Sequence, residues 1–349
     1  MKSSRFLLPG LFLMSIGVIS GRELHMNEVQ VIGTHNSYHL APDAGMMKML
    51  EIVSKRAIEA WGYSHETLDK QLDSGVRQFE LDVFADPEGG LYAQENDHPE
   101  MKKPGAKVLH VPGLDFRTNH KTFVGALETV RDWSLKHPNH VPLMILVELK
   151  DSRDNPLAPP PVKFDRGQME ALENEIWSVF KRDHLLTPDG VRGDEKTLRD
   201  AILKRGWPLL KSARGKVMFG LDNEGGHRTV YLEGIPALEN RVMFVSVDRA
   251  HPAAGWMKRN DPVGGFEEIQ GLVKEGFLVR TRADADSREA RANDHGRAKK
   301  ALESGAQFVS TDYPRANPRI GEYEVALPGK VVARANPVAA PGGPAGELE

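Results

Sequence analysis

The sequence predicts a single-domain α/β protein folded as a (β/α)8 TIM barrel. Short apolar runs rich in Val, Ile, Leu and Phe alternate about eight times with segments that have helical periodicity. Short, continuously apolar runs are typical of parallel strands that are buried on both faces. Polar residues follow most of these runs, at the strand ends where a barrel places its catalytic face. An open, doubly wound sheet is the structural alternative.

The individual elements follow from these two patterns. The predicted strands are Val29–Gly33, Arg77–Asp82, Lys107–Val111, Pro142–Leu149, Lys216–Leu221, Val242–Val247, Phe277–Thr281 and Gln307–Ser310. The predicted helices include Glu66–Ser74, Thr122–Leu135, Gln168–Val179, Leu198–Leu203, Phe266–Lys274 and Arg288–Ser304. In the helix from Thr122, apolar residues recur at helical spacing and form one face for the core.

The N-terminal residues 1–21 are typical of a secretory signal peptide. Lys2 and Arg5 supply the positive charge that precedes the apolar stretch Phe6–Ile19, and small residues lie before a cleavage point near Gly21. The apolar stretch is short for a membrane span, although an uncleaved anchor is the alternative. We therefore expect a secreted or periplasmic protein.

Composition limits the remaining possibilities. Residues 22–330 are predicted to form the barrel, and the Pro/Gly/Ala-rich residues 331–349 are predicted to be a disordered tail. A net charge of -3 argues against a nucleic-acid binder. The absence of cysteine excludes thiolate catalysis and cysteine-ligated zinc. Nothing in the sequence indicates an obligate protein partner.

Four polar residues at strand ends predict a metal site. Glu80 and Asp82 are two apart on a strand, so both point to one face, where they repel each other unless a cation or a proton intervenes. Asn36 and Glu148 follow or close two other strands. An amide and three carboxylates form an all-oxygen set, which favours Ca²⁺ over Mg²⁺. The alternative for each is a solvated strand end.

Two histidines at strand ends are candidates for proton transfer. His35 precedes Asn36, and His110 ends an apolar run. Two histidines across a phosphate can share the roles of general acid and base. His39, His65 and His98 are the alternatives for the second role.

Two cations complete the predicted set of catalytic residues. Lys150 lies two residues beyond Glu148, where it could hold a phosphate oxygen or form a salt bridge to Glu148. Arg282 could reach a phosphate or pair with Asp284. Further strand-end acids could be hydrogen-bonding residues of the barrel rim: Asp115, Asp222, Asp248 and Asp312.

Five motifs, in this order, resemble the calcium-dependent phosphoinositide-specific phospholipase C family. They are Gly33-Thr34-His35-Asn36-Ser37-Tyr38-His39, Phe79-Glu80-Leu81-Asp82-Val83, Val108-Leu109-His110-Val111-Pro112 with Asp115-Phe116-Arg117, Glu148-Leu149-Lys150, and Arg280-Thr281-Arg282-Ala283-Asp284 with Ser310-Thr311-Asp312-Tyr313. The resemblance spans nearly the whole chain after residue 21. It implies a distorted TIM barrel and cleavage of phosphatidylinositol at the glycerol–phosphate bond, through a cyclic inositol phosphate, at a membrane surface.

The resemblance also implies a role for each matching residue. His35 and His110 match the catalytic histidines, Lys150 matches a phosphate or headgroup contact, and Arg282 lies in a matching motif. The implied Ca²⁺ ligands are Asn36, Glu80, Asp82 and Glu148. The alternatives are another phosphodiester on the same scaffold, such as a glycerophosphodiester or lysophospholipid, or an inert Ca²⁺-dependent lipid or carbohydrate binder.

Overall fold

The structure is a computed structural model that describes residues 22–94 and 98–349. The predicted signal peptide, residues 1–21, lies outside the described residues. Within the described part of the chain, no helix combines the length and the apolar character that crossing a bilayer requires.

Eight parallel strands form a nearly closed barrel, which confirms the predicted fold. The ten strands are β1 (Val29–Thr34), β2 (Gln78–Phe84), β3 (Lys107–Val108), β4 (Leu143–Leu149), β5 (Val217–Leu221), β6 (Met243–Val245), β7 (Trp256–Lys258), β8 (Leu278–Arg282), β9 (Phe308–Thr311) and β10 (Ala333–Ala335). Their order is β6-β5-β4-β2-β1-β9-β8-β7, with β3 and β10 off this path. A single parallel bridge from Ser246 to Trp256 links β6 to β7, so the barrel is distorted at this seam.

Twelve helices surround the barrel in the described part of the chain. They are α1 (Ala44–Val53), α2 (Lys55–Trp61), α3 (Leu68–Asp73), α4 (Phe123–Lys136), α5 (Arg166–Val179), α6 (Pro188–Arg192), α7 (Leu198–Arg205), α8 (Leu210–Ala213), α9 (Gly225–Leu232), α10 (Phe266–Lys274), α11 (Arg288–Ala292) and α12 (Gly296–Glu303). Short 3-10 turns occur at Met26–Glu28, Pro99–Lys102, Arg182–His184 and Pro328–Lys330.

Helix α4 shows how the sequence defines an element. Thr122 caps it by accepting a hydrogen bond from the Gly125 amide, which satisfies one of the free N–H groups of the first turn. The buried face is the one that the helical spacing predicted, from Phe123 to Ser134. This face packs into the main core beside the strands.

One predicted barrel strand is wrong, and another was missed. Only Lys107–Val108 of the predicted strand Lys107–Val111 is extended, and it pairs antiparallel with β2 outside the barrel. The barrel strand that was missed is Trp256–Lys258, which is the sixth barrel strand in chain order and pairs in parallel with β8. It has three residues and no apolar run, so periodicity could not distinguish it from a loop.

The predicted helix Arg288–Ser304 is divided in two. Asn293 has a φ of 50°, in the left-handed region that asparagine tolerates better than most residues, and it ends α11. A second helix, α12, begins at Gly296.

The prediction of a disordered tail at residues 331–349 is wrong. Strand β10 pairs antiparallel with β1, with Val29 opposite Ala335. Strand β1 meets β2 only at Gly33, so its earlier backbone groups are left for β10 to pair with. Farther along, the Glu349 carboxylate accepts hydrogen bonds from Arg77 Nε at 3.0 Å and from the Val141 amide at 2.7 Å.

Candidate active site

Asn36 lies in a tight turn at the exit of β1. Its φ is 44°, and its side chain is buried, with an Oδ1 atom that has no hydrogen-bond partner among the described residues. The turn is fixed to β2, since the Ser37 amide donates to the Glu80 carbonyl at 2.9 Å and Ser37 Oγ accepts from the Glu80 amide at 2.8 Å. Asn36 is therefore held beside Glu80 with an unused oxygen.

Parallel strand pairing brings the predicted carboxylates together. Asp82 on β2 is directly opposite Glu148 on β4. Asp82 is completely buried, and neither of its carboxylate oxygens has a hydrogen bond within the described residues. Glu80, Glu148 and Asp222 each offer one oxygen, and the three oxygens lie within 4.8 Å of one another. Asp222 follows β5 and was expected only as a possible rim residue.

The crowding of acids alters their ionisation. Burial raises the pKa of Glu80 to about 8; Asp222, Glu148 and Asp82 add to this effect, and Arg280 opposes it. Burial and the neighbouring Glu148 raise the pKa of Asp82 well above its usual value. The positive charges of neighbouring side chains are thus too few to stabilise all of these carboxylates in their ionised form. Buried oxygens without partners, drawn from an amide and carboxylates, suit a hard cation such as Ca²⁺.

Three cations of the chain contact these acids. Lys150 Nζ lies 3.3 Å from both Glu148 Oε1 and Asp82 Oδ2, so the salt bridge that was the alternative for Lys150 is present. Burial lowers the pKa of Lys150, but the two carboxylates outweigh it and raise that pKa above its usual value. Two further ion pairs join Arg280 to Glu80 and Lys258 to Asp222.

His35 is held in a defined orientation by Asp312. Its Nδ1 is 2.8 Å from Asp312 Oδ1, and its Nε2 is 3.6 Å from Glu80 Oε1. Burial, assisted by the charge of Arg282, lowers the pKa of His35 to about 3. The ring is therefore neutral at physiological pH. Because the carboxylate accepts from Nδ1–H, the free lone pair lies on Nε2.

His110 is oriented in the same way by a second carboxylate. Its Nδ1 is 2.7 Å from Asp115 Oδ2, and its side chain is 19% exposed. Its free Nε2 can carry a proton to a bound ligand. Trp61 packs against the ring at its edge, with the two ring centroids 5.7 Å apart.

The alternative histidines lie in different surroundings. His39 is fully buried, with Nε2 2.8 Å from Asp115 and Nδ1 3.1 Å from the Tyr63 carbonyl. His65 is buried and donates to the His35 carbonyl at 2.9 Å. His98 is half exposed and caps the 3-10 turn at Pro99–Lys102. Of the four candidates for the second role, only His110 is partly exposed and oriented by a carboxylate.

Arg282 binds Asp312, the same carboxylate that orients His35. Its guanidinium donates to Asp312 Oδ2 at 3.1 Å, so Asp312 is held between His35 and Arg282. Burial opposes the ionisation of Asp312, but His35 and Arg282 lower its pKa well below the usual value. Asp284 accepts from the Asp312 amide at 2.9 Å. The side chain of Arg282 is 14% exposed, so it can also reach a bound anion.

Five residues of the site were not among the predicted site residues: Asp115, Asp222, Lys258, Arg280 and Asp312. Asp222 and Asp312 follow predicted strands, and this position was the available signal. Lys258 lies on the strand that periodicity missed. Arg280 is inside a strand, 1% exposed, and nothing local in the sequence indicates that it pairs with Glu80.

Comparison with known proteins agrees with this geometry. The structure is similar to the calcium-dependent phosphoinositol-specific phospholipase C of a Gram-negative Pseudomonas species in its myo-inositol complex, with a TM-score of 0.55, 16% identity, and coverage of 90% of this chain and 96% of that chain. It is also similar to the Ca²⁺-dependent phosphatidylinositol-specific phospholipase C of Streptomyces antibioticus, with a TM-score of 0.54, 16% identity, and coverage of 82% and 94%. At this identity the two structures establish the fold alone. No curated protein matches the chain.

The sequence itself carries the family assignment. The family described as phosphoinositide phospholipase C, Ca²⁺-dependent, matches residues 24–337, a range that contains all five motifs and the four proposed metal ligands. The chain therefore belongs to the Ca²⁺-dependent phosphoinositide phospholipase C family, whose members are phosphoric diester hydrolases.

Proposed function

We propose that the protein cleaves phosphatidylinositol-type phospholipids at the glycerol–phosphate bond, in a Ca²⁺-dependent reaction that passes through a cyclic inositol phosphate. One observation carries this proposal. Two histidines, each oriented by its own carboxylate, lie on the same barrel rim as a group of buried, unsatisfied oxygens. Such a pair suits an intramolecular displacement, which needs a base for the attacking hydroxyl and an acid for the leaving oxygen.

The residues Asn36, Glu80, Asp82 and Glu148 would hold the Ca²⁺ ion. When bound, the ion supplies positive charge that favours ionisation of the inositol hydroxyl and offsets charge on the phosphoryl oxygens. This role agrees with the raised pKa values of Glu80 and Asp82, because a nearby cation favours the ionised carboxylates.

The side chains of the site supply the proton transfers. His35 Nε2 accepts the proton of the attacking inositol hydroxyl, and Asp312 stabilises the imidazolium that forms. His110 donates a proton from Nε2 to the departing glycerol oxygen, while Asp115 fixes its ring through Nδ1. Lys150 and Arg282 contact the phosphoryl oxygens and stabilise the charge that develops on them.

The loops around the barrel mouth support action at a lipid surface. Ile52 in α1, Leu157 in the loop after β4 and Val263 in the loop after β7 are 88%, 95% and 55% exposed. Each follows the carboxyl end of a barrel strand, so the three belong to the face that carries the active site. Large exposed apolar side chains at the mouth can insert among lipids while the headgroup enters the site.

We also propose that the protein is exported to the periplasm or the medium, on the basis of the signal-like residues 1–21. The mature protein recovered from these compartments should begin close to Gly21, as intact-mass measurement can test. A full-length protein confined to the cytoplasm would contradict export.

The decisive experiment for the proposed activity is an assay with and without a calcium chelator. Phosphatidylinositol in vesicles should release diacylglycerol and a cyclic inositol phosphate, detected by ³¹P NMR. Excess EGTA should abolish release, and added Ca²⁺ should restore it. Turnover that persists in EGTA would refute the metal assignment. Turnover of glycerophosphodiesters or lysophospholipids alone would identify a different substrate, and Ca²⁺ binding without any turnover would identify an inert binder.

His110→Ala should lower kcat on phosphatidylinositol by about 1,000-fold, because the leaving oxygen then departs without a proton. Ca²⁺ binding, measured by calorimetry, should be unchanged. The loss should be much smaller on an inositol phosphodiester with a nitrophenol leaving group, which needs little protonation. His98→Ala is the matched control and should keep full activity. Near-normal activity of His110→Ala would assign the acid to another histidine, His39 or His98.

Leu157→Asp should weaken binding to phosphatidylinositol vesicles by about tenfold, because an exposed leucine contributes roughly 1.5 kcal/mol or more when its apolar surface is buried. Sedimentation with vesicles measures this binding. Activity on a short-chain, monomeric substrate should not change. Leu135→Asp is the control, since Leu135 is 64% exposed at the end of α4, away from the barrel mouth. Equal loss in both variants would argue against a lipid-facing mouth.

A further inference from the structure

The acids at the candidate metal site are partly balanced by cations of the chain. We call Glu80, Asp82, Glu148 and Asp222 the cage cluster. Arg280 pairs with Glu80, Lys150 with Asp82 and Glu148, and Lys258 with Asp222. Four formal negative charges therefore face three positive ones, which leaves one net negative charge for a divalent cation.

Lys258 makes two hydrogen bonds to Asp222. Its Nζ donates to Asp222 Oδ2 and to the Asp222 carbonyl, both at 2.6 Å. The Lys258 amide donates to Ser246 Oγ at 3.0 Å, which fixes β7 at the seam with β6. The ammonium is therefore held in place at the cage cluster, and its side chain is 18% exposed.

The two carboxylate oxygens of Asp222 have different surroundings. Oδ2 binds Lys258, whereas Oδ1 is buried and has no hydrogen-bond partner in the described chain. One Asp222 oxygen lies within 4.8 Å of oxygens from Glu80 and Glu148. Asp222 thus belongs to the same cluster as the proposed ligands. The positive charge of Lys258 offsets the negative charge that Asp222 would otherwise add to the metal site.

We propose that Lys258 sets the affinity of the site for Ca²⁺, so that the ion binds weakly to the free enzyme and tightly only together with an anionic phosphodiester. This inference rests on the proposed function. A fixed ammonium a few ångströms from a divalent cation costs enough, at an effective dielectric constant of about 20, to change affinity by tenfold or more. Lys150, Lys258 and Arg280 offset the negative charge of the acids, and the bound phosphodiester supplies new negative charge next to the Ca²⁺ ion.

Thermodynamic linkage makes this coupling reciprocal. If the phosphodiester increases the affinity for Ca²⁺, Ca²⁺ increases the affinity for the phosphodiester by the same factor. A purely structural Lys258 would instead affect the stability of the seam between β6 and β7 and leave the Ca²⁺ affinity unchanged.

The experiment compares Ca²⁺ binding by the wild type and by Lys258→Met, using calorimetry without substrate. Lys258→Met should bind Ca²⁺ at least about tenfold more tightly, because the charge of Asp222 is no longer cancelled. Lys258→Arg, which keeps the charge, should stay within about threefold of the wild type by the same argument. Lys204→Met removes an exposed lysine paired with Glu195 and should leave the affinity unchanged.

The coupling is measured with two soluble ligands. Saturating myo-inositol 1-phosphate should tighten Ca²⁺ binding by the wild type about tenfold and that by Lys258→Met much less. Uncharged myo-inositol should have no such effect in either protein. Near-ultraviolet circular dichroism of the Ca²⁺-free proteins checks the fold, and Lys258→Gln replaces Lys258→Met if the latter does not fold.

The outcomes separate this inference from the proposed function. Ca²⁺ binding with the same affinity in the wild type and in both neutral variants would overturn the role of Lys258 and leave the metal site intact. Ca²⁺ binding by a neutral variant, but not by the wild type, would support the role of Lys258, because the lysine would then prevent binding in the absence of substrate. An absence of binding in all of the proteins would overturn the metal assignment and this inference with it.

Discussion

The structure depends on how four carboxylates are accommodated at the mouth of one barrel. Parallel pairing places Asp82 opposite Glu148, while Glu80 lies on the same strand as Asp82 and Asp222 follows β5; oxygens of Glu80, Glu148 and Asp222 lie within 4.8 Å of one another. Burying like charges together is strongly unfavourable unless each has a partner. The ion pairs of Lys150, Lys258 and Arg280 supply most of the required compensation. The remaining deficit of positive charge is what makes the site suitable for a metal ion.

The two histidines are held by contacts of a similar kind. Each imidazole binds a carboxylate through Nδ1, and each carboxylate is fixed by a second group: Arg282 for Asp312, and His39 for Asp115. Because the carboxylates cannot turn, the free Nε2 atoms have defined directions. In the proposed mechanism, the geometry for proton transfer is thus set by the carboxylates that hold the two histidines.

The sequence predicted the barrel, and it placed the candidate site residues at strand ends, because both depend on local signals. Buried parallel strands are apolar throughout, and polar residues at their ends identify the catalytic face. The same reasoning failed for Trp256–Lys258, where three residues are too few to show a period. It also failed for Arg280 and Lys258, because their partners are distant in the chain. Composition misjudged residues 331–349, where backbone pairing with β1 and the packing of side chains such as Val338 and Leu348 against the core provide the order.

The pairing of β10 with β1 also bears on how the chain folds. Val29 and Ala335 are neighbours across strands that are separated by nearly the whole barrel in sequence. Contacts at such separation require the closure of a very long loop, which makes them late and slow to form. Until residues 333–335 arrive, β1 keeps an unpaired backbone edge, and the barrel seam between the earliest and the latest strands stays open. The pairing of β10 with β1 therefore forms only after the sequence of the whole barrel has been synthesised.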